Sequence, residues 1–277
     1  MTLDQHCRDY EARFCEHWQR IIRELNAEGP DAFWLIRHAS YLFRTGGVRW
    51  GIDPSLRTDE FKTLVQSRAA QDLSSLSFML TTHFHSDHFD PAFCKLLGGT
   101  DTLWIVPDFA PEKAREVLLA AHKNVRFVTL GEELDIDGHH ITVLPGHHYD
   151  DGGSTGIAAY AYAVKTPTQT LFFPGDVRDF RTCMTVDCPN ADVFFAHVWL
   201  GRTRALLPLE ETFLEPYCDY LARAGAKRVS LAHLNNYTRP ADELWADHHA
   251  IAVVEGFKKR CPDTPVFIPP IGVMQLL

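Results

Sequence analysis

Thr81-Thr82-His83-Phe84-His85-Ser86-Asp87-His88-Phe89-Asp90 directly follows the apolar run Phe78-Met79-Leu80. Three histidines and an aspartate stand between positions 83 and 88. Imidazoles and a carboxylate crowded in this way are costly to bring together unless a cation sits at their centre. In an extended segment, side chains two apart share a face, so His83 and His85 converge on one point. A turn into helix just after them swings Asp87 and His88 toward a neighbouring point. Asp90-Pro91 reads as the N-cap and first residue of that helix. Strand, short loop and helix start, with four ligand-type residues between them, predict a metal site with room for two ions.

The 277 residues allow one large domain or two small ones, and 45% hydrophobic with 23% charged content belongs to the soluble globular class. A formal net charge of −9 counts against nucleic acid as the main partner. Met1-Thr2-Leu3-Asp4-Gln5-His6-Cys7 lacks the basic start and apolar core of a signal peptide. No run approaches the roughly 20 apolar residues that span a bilayer. Seven cysteines without a Cys-x-x-Cys pair do not form a disulfide framework; Cys183 and Cys188, the nearest two, read as reduced thiols. A cytoplasmic protein is expected.

Outward from the motif, Leu3, Cys7, Tyr10, Phe14, Trp18, Ile21, Ile22 and Leu25 recur at steps of three and four, which predicts one amphipathic helix over about residues 3–28. It ends at Gly29-Pro30 and is expected to pack on the body of a single domain covering 1–277. Phe33–His38, Ser40–Arg44 and Val48–Asp53 read as antiparallel strands, the last two joined at Gly46-Gly47. Glu60–Leu73 is helical in composition, and Phe78–Thr82 is the strand that feeds the motif. Later strands are expected at Leu103–Val106, Val125–Leu130, Glu133–Ile136, His140–Leu144, Ile157–Lys165, Thr170–Phe173, Asp192–Trp199 and Arg228–Ala232. Helices are expected at Pro111–His122, Glu210–Arg223 and Ala241–Lys259. Early hairpins followed by alternating strands and helices predict an α/β fold with mixed sheets.

A two-ion site needs more ligands than one loop supplies. His147-His148, Asp176 and His233 each stand just past an apolar strand, where loops carry function. His-x-His-x-Asp-His at 83–88, a strand-end histidine, Gly175-Asp176 and a last strand-end histidine, in this order, resemble the metallo-β-lactamase superfamily. The resemblance runs from Asp53 to His233. It implies a four-layer αβ/βα sandwich with the metals in a cleft at one edge of the sheets. It also implies His83, His85 and His148 on a first metal and Asp87, His88 and His233 on a second, with Asp176 bridging. His147 is the alternative to His148. Asp53 matches an early strand-end aspartate that supports the metal loop from behind. Val177 stands where the superfamily commonly has threonine, which removes a hydroxyl near Asp176. His38, His122, His139, His140, His248 and His249 have no such placement and read as structural or surface residues.

Two cations sharing a solvent molecule bring its pKa toward neutrality, so the expected activity is hydrolysis by a metal-bridging hydroxide. The substrate class is a small ester, lactone or phosphoester, and Asp87 is the candidate to accept the proton. Imidazole and carboxylate ligands without thiolate suit zinc; manganese and iron are compatible. Phe89-Asp90-Pro91 and Gly47–Pro54 resemble the branch containing L-ascorbate-6-phosphate lactonase and N-acyl phosphatidylethanolamine phospholipase D. In His197-Val198-Trp199-Leu200-Gly201-Arg202-Thr203-Arg204, His197, Arg202 and Arg204 are candidate substrate contacts, the arginines for a phosphate or carboxylate. A solvated basic turn is the other reading of that segment. Tyr149 and Tyr237 are candidate donors to a developing oxyanion. The alternatives are a nuclease or RNA-processing phosphodiesterase of the same superfamily, and a non-hydrolytic di-iron redox or sensor protein.

Overall fold

The computed structural model of the chain describes residues 1–56, 58–149, 155–180 and 191–277; Cys183 and Cys188 lie outside them. The strands are β1 (Ala32–Leu35), β2 (Tyr41–Thr45), β3 (Val48–Ile52), β4 (Leu76–Leu80), β5 (Leu103–Pro107), β6 (Val125–Val128) and β7 (Glu133–Ile136). They continue with β8 (His139–Pro145), β9 (Tyr160–Lys165), β10 (Thr170–Phe173), β11 (Val193–His197), β12 (Val229–Ala232), β13 (Val266–Phe267) and β14 (Gln275–Leu276). The helices are α1 (Leu3–Ala12), α2 (Phe14–Asn26), α3 (Asp59–Val65), α4 (Ala69–Asp72), α5 (Pro91–Leu96), α6 (Glu112–Ala121), α7 (Leu214–Arg223) and α8 (Asp247–Arg260).

Among the described residues the strands form two seven-stranded sheets, ordered β14-β1-β2-β3-β4-β5-β6 and β13-β12-β11-β10-β9-β8-β7. Both are mixed as expected, and for the same reason. Short connections give antiparallel pairs, β1-β2-β3 in one sheet and β7-β8-β9-β10 in the other. Longer connections, most of them carrying a helix, give the parallel sets β3-β4-β5-β6 and β10-β11-β12-β13. The β2-β3 hairpin turns through Gly46 (φ +56°) and Gly47 (φ +79°), the left-handed pair that a two-residue hairpin requires.

Side-chain alternation sorts each strand between two cores. Phe173 and Phe195 point into the sandwich and stack at 4.6 Å between centroids. From the opposite sheet Phe43 and Trp50, themselves stacked at 4.1 Å, meet Phe173 edge-on at 5.4 and 5.8 Å. One residue earlier in each strand, Phe172 and Phe194 point the other way, stack at 5.3 Å, and are covered by Tyr220 of α7. On the far side of the first sheet, Trp34 Nε1 donates to Glu24 of α2 at 2.8 Å, and Arg44 Nη1 reaches the carbonyls of Glu24 and Ala27. The result is a helix–sheet–sheet–helix sandwich.

Two expectations about elements change, and two short strands were not expected. The amphipathic run at the N-terminus is two helices, broken at Arg13 (φ −118°, ψ 31°). The break lets the two halves take separate anchors: Tyr10 donates to the carbonyl of Ile36 at 2.8 Å, and Trp18 Nε1 to Asp72 at 2.6 Å. Glu60–Leu73 is likewise two short helices, α3 and α4. The two-residue strands β13 and β14 are too short to carry a periodic signal. No helix among the described residues is long and apolar enough to cross a membrane. The described cysteines, Cys7, Cys15, Cys94, Cys218 and Cys261, are free thiols.

Two of the histidines set aside in the sequence prove to be structural. His139 Nε2 faces the Thr45 hydroxyl at 2.7 Å while Nδ1 faces the Asp137 carbonyl at 3.1 Å. His249 Nδ1 accepts from the Ala246 amide, and Nε2 lies 3.1 Å from the Ala205 carbonyl. Each ring is buried and needs one nitrogen as acceptor, so each is neutral. Burial lowers both pKa values, that of His249 to about 4. Below the ordinary value of 6.5 the unfolded chain therefore binds more protons than the folded one. Their stabilisation is complete above pH 6.5 and is lost as the pH falls toward the folded values. The melting temperature of the chelator-treated protein should drop between pH 7 and pH 5 in calorimetry; a flat profile would contradict this account. Phe43→Ala should cost about 3–5 kcal/mol in denaturant unfolding, because the aromatic layer around it cannot collapse into the gap.

Candidate metal centre

The side chains of interest leave the strand ends along one edge of the sandwich. Asp53 follows β3, the 81–88 loop follows β4, His148 follows β8, Asp176 follows β10 and His233 follows β12. Two of these residues hold a left-handed backbone that side chains rarely adopt, Asp53 at φ +53° and His233 at φ +69°. Each is fixed there by a backbone hydrogen bond, Asp53 to the carbonyl of Leu80 (2.9 Å) and His233 to that of His38 (2.8 Å). Gly156, at φ +107°, packs so closely beneath His148 that a Cβ there would lie 2.2 Å from the His148 carbonyl oxygen.

Seven residues converge at this edge in three overlapping groups: His83, His85 and His148; His83, His88 and Asp176; Asp87, His88 and His233. Within each group the ligand-type atoms lie within 4.8 Å of one another. His83 uses Nδ1 on the Thr82 hydroxyl (3.0 Å) and His88 uses Nδ1 on Asp53 (2.8 Å). That leaves His83 Nε2 buried without a hydrogen-bond partner, as is expected of a nitrogen that faces a cation, whereas His88 Nε2 faces a carboxylate. His148 Nε2 lies 2.9 Å from His85 Nδ1. Asp176 stands between the halves, with Oδ1 3.2 Å from His88 Nε2 and Oδ2 3.7 Å from His233 Nε2. A buried set of imidazoles and carboxylates with orphaned nitrogens fits one or two divalent cations.

The electrostatics lean the same way. Burial lowers the pKa of His83, of His148 to about 3 and of His233 to about 4, so these rings are neutral and their lone pairs available at neutral pH. Burial alone would also lower His88, but Asp176 and Asp53 outweigh it and hold that imidazole well above its usual range. Burial would raise both Asp87 and Asp176; the histidines around them overcome it and keep both carboxyls well below the ordinary value. Asp53 ties the loop together, accepting from the Thr82 amide (2.7 Å), the Thr82 hydroxyl and His88 Nδ1.

The remaining sequence candidates are placed differently. His147 turns its carbonyl to the Arg178 amide at 2.8 Å, and it is His148 whose ring enters the cluster. His197, read as a substrate contact, is buried and faces Asp176 Oδ1 through Nδ1 at 2.8 Å, stacked 5.3 Å from His233. Arg202 is exposed beside Glu243 at 3.5 Å, and Arg204 donates to the Glu211 carbonyl at 2.6 Å. Tyr149 is 47% exposed, while Tyr237 donates to Asp4 Oδ1 of α1 at 2.6 Å. The structure brings neither arginine and neither tyrosine into the ligand groups.

Two residues at the site carry no signal that the sequence made readable. Arg239 donates through Nη2 to Asp87 Oδ2 (2.6 Å) and faces His233 Nε2 (2.9 Å). Burial works against its charge, but Asp87 and Asp176 keep it protonated. Arg178, two positions past Asp176, lies over the Trp199 ring at 5.8 Å. Both sit in polar loops after strands, where an arginine is usually a solvated surface residue.

A family model described as a beta-lactamase superfamily domain matches residues 34–199. The metallo-β-lactamase fold protein YhfI from Bacillus subtilis superposes with a TM-score of 0.62 at 17% identity, over 89% of this chain and 100% of its own. An isothiocyanate hydrolase from Delia radicum gut bacteria gives 0.60 at 18% identity, over 89% and 98%. CmlA, a diiron beta-hydroxylase from Streptomyces venezuelae, gives 0.62 at 15% identity, over 91% of this chain and 54% of its own. No curated protein sequence matches. At these identities the structural likeness concerns the fold alone.

Among the described residues Asp53 hydrogen-bonds to the cluster through Thr82 and His88, so its charge can be removed while every ligand-type residue is kept. Asp53→Asn should weaken metal binding roughly 10–100-fold in chelator competition. An unchanged affinity would remove Asp53 from the support of the centre.

Proposed function

The chain belongs to the beta-lactamase superfamily, and from that premise we propose that it is a metal-dependent hydrolase with a binuclear centre. One observation carries the reading: seven histidine and aspartate side chains from four strand ends meet in overlapping groups, with buried, unpaired imidazole nitrogens among them. His83, His85 and His148 would hold one divalent ion and Asp87, His88 and His233 the other, with Asp176 available to both. Zinc suits this donor set best, with manganese or iron as substitutes. We read 1–277 as one cytoplasmic domain, with the N-terminal helices serving as part of its wall.

When bound, the ions supply a solvent nucleophile ionised near neutral pH and electrophilic assistance to the attacked group. The chain's own residues do the rest. Asp53 orients His88 through Nδ1, and His197 orients Asp176 through Oδ1. Thr82 fixes the His83 ring from its Nδ1 side. Asp87 accepts the proton of the attacking water on a carboxylate oxygen. Burial works against the Asp87 charge, but the His233 and His88 imidazoles beside it hold its carboxyl well below the ordinary range and make it a weak base, which favours prompt release of that proton to the leaving group or to solvent.

The substrate is proposed to be a small ester, lactone or phosphoester. The likeness of Phe89-Asp90-Pro91 and of the Gly47–Pro54 segment to the ascorbate-6-phosphate lactonase and N-acyl phosphatidylethanolamine phospholipase D branch supports the lactone and phosphodiester classes. The acidic net charge supports a small molecule over nucleic acid. Non-hydrolytic di-iron chemistry is the second reading, since a diiron hydroxylase shares the fold.

Metal analysis of the purified protein, paired with a screen of lactones, esters and phosphodiesters, tests the proposal. Turnover should be lost on chelation and return with zinc or manganese. His85→Ala and Asp87→Ala should each lower kcat at least about 1,000-fold with circular dichroism unchanged. Near-normal turnover by either variant, or iron with a visible absorption band and no hydrolysis, would defeat it.

A further inference from the structure

Arg239 occupies an unexpected place. Its Nη2 lies between two residues of the second ligand group, 2.6 Å from Asp87 Oδ2 and 2.9 Å from His233 Nε2. Those two atoms are themselves only 3.4 Å apart. A guanidinium has donors and no acceptor, so His233 Nε2 must accept from it. An imidazole nitrogen has one lone pair to give, and a metal ion at Nε2 needs that same pair. Arg239 and a second ion are therefore mutually exclusive at His233.

The arginine is delivered there by a built turn. Asn236 Oδ1 accepts from the Thr238 amide (3.3 Å) and hydroxyl (2.7 Å), the Arg239 amide donates to the Asn236 carbonyl (3.0 Å), and Pro240 follows. The side chain is 13% exposed. Yet its Nε is buried without a partner, so the head group is held chiefly by the atoms it shares with the metal site. Among the described residues no guanidinium hydrogen-bonds to the first group: His83, His85 and His148 contact one another, Thr82 and His88, and Arg178 acts on His85 and His148 only through its charge.

We infer that Arg239 is the resident cation of the second half-site and competes with a divalent ion for Asp87 and His233. The inference rests on the metal-centre reading above. Its consequence is unequal loading. A first ion would be held by His83, His85 and His148 with no guanidinium bonded to its ligands. The second must displace the guanidinium and then tolerate its charge nearby.

Calorimetric titration of the full-length, chelator-stripped protein with zinc alone tests this. The wild type should take one equivalent tightly and a second at least about 10-fold more weakly. Arg239→Gln should tighten the second step roughly 10–100-fold, the equivalent of the charged hydrogen bonds removed, and leave the first unchanged. Arg239→Lys, which keeps the charge, should stay close to wild type. Two equal steps in the wild type, or an unaltered second step in Arg239→Gln, overturn the inference while leaving the metal centre standing. Uptake of no zinc overturns the metal-centre reading and the inference with it. Cobalt(II) added stepwise to the wild type, followed by its visible absorption, gives the same answer even if a variant fails to fold. Saturation near one equivalent with a weak further rise supports the inference, and a single two-equivalent transition overturns it.

Discussion

Buried carboxylates have to be answered by positive charge, and this protein places three of them, Asp53, Asp87 and Asp176, at one edge of its sandwich, each at most 7% exposed. Around them stand imidazoles that burial keeps mostly neutral. The partial answers within the protein are His88, held between Asp53 and Asp176, and Arg239 on Asp87. Among the described residues neither hydrogen-bonds to His85 or His148, which face each other at 2.9 Å. Such an arrangement is poorly balanced as a piece of packing and well balanced as a receptor for cations. It also explains why the loops can hold left-handed residues at Asp53 and His233, since the ligand geometry sits where backbone strain is tolerated.

The sandwich supplies the rigidity that this convergence needs. Each half of the centre draws on both sheets: His83 and His85 from the first with His148 from the second, Asp87 and His88 from the first with His233 from the second. Relative sliding of the sheets by a fraction of a turn would separate every such group. The interlocked aromatic layer of Phe33, Phe43, Trp50, Phe173 and Phe195 opposes that movement. So do direct ties at the edge itself, where the Tyr160 amide donates to the Thr82 carbonyl at 2.9 Å and the Tyr162 hydroxyl to that of Thr81 at 2.9 Å. Val177 is buried against the helix-covered face of the second sheet, where a hydroxyl would have been costly.

What could be read in the sequence follows from how local each signal is. The 83–88 cluster is legible because its side chains belong to one loop, and His148, Asp176 and His233 because each ends a strand that is apolar enough to recognise. The mixed sheets follow from connection lengths, and most strands from alternation. Arg13 breaks the first helix without any glycine or proline to announce it; the cause is tertiary, in the separate anchors of Tyr10 and Trp18. His197 looked like a free strand-end ligand for substrate, but its partner is 21 residues upstream in sequence, on the neighbouring parallel strand's loop. Arg239 is hidden for the same reason. Its partner Asp87 is 152 residues away, and nothing in Asn236-Tyr237-Thr238-Arg239-Pro240 distinguishes it from an ordinary polar turn.

Solved structures of this fold include an isothiocyanate hydrolase and a diiron beta-hydroxylase, so the frame does not choose the chemistry. The choice has to come from what surrounds a shared ligand pattern. In this chain the surroundings are asymmetric. Asp176 is shared between the sides; beyond it the His83–His85–His148 side offers imidazole donors, whereas the Asp87–His88–His233 side has a carboxylate of its own and a guanidinium already in contact with both Asp87 and His233. An asymmetric field polarises a bound electrophile along one direction, which serves displacement of a leaving group on one side by solvent from the other.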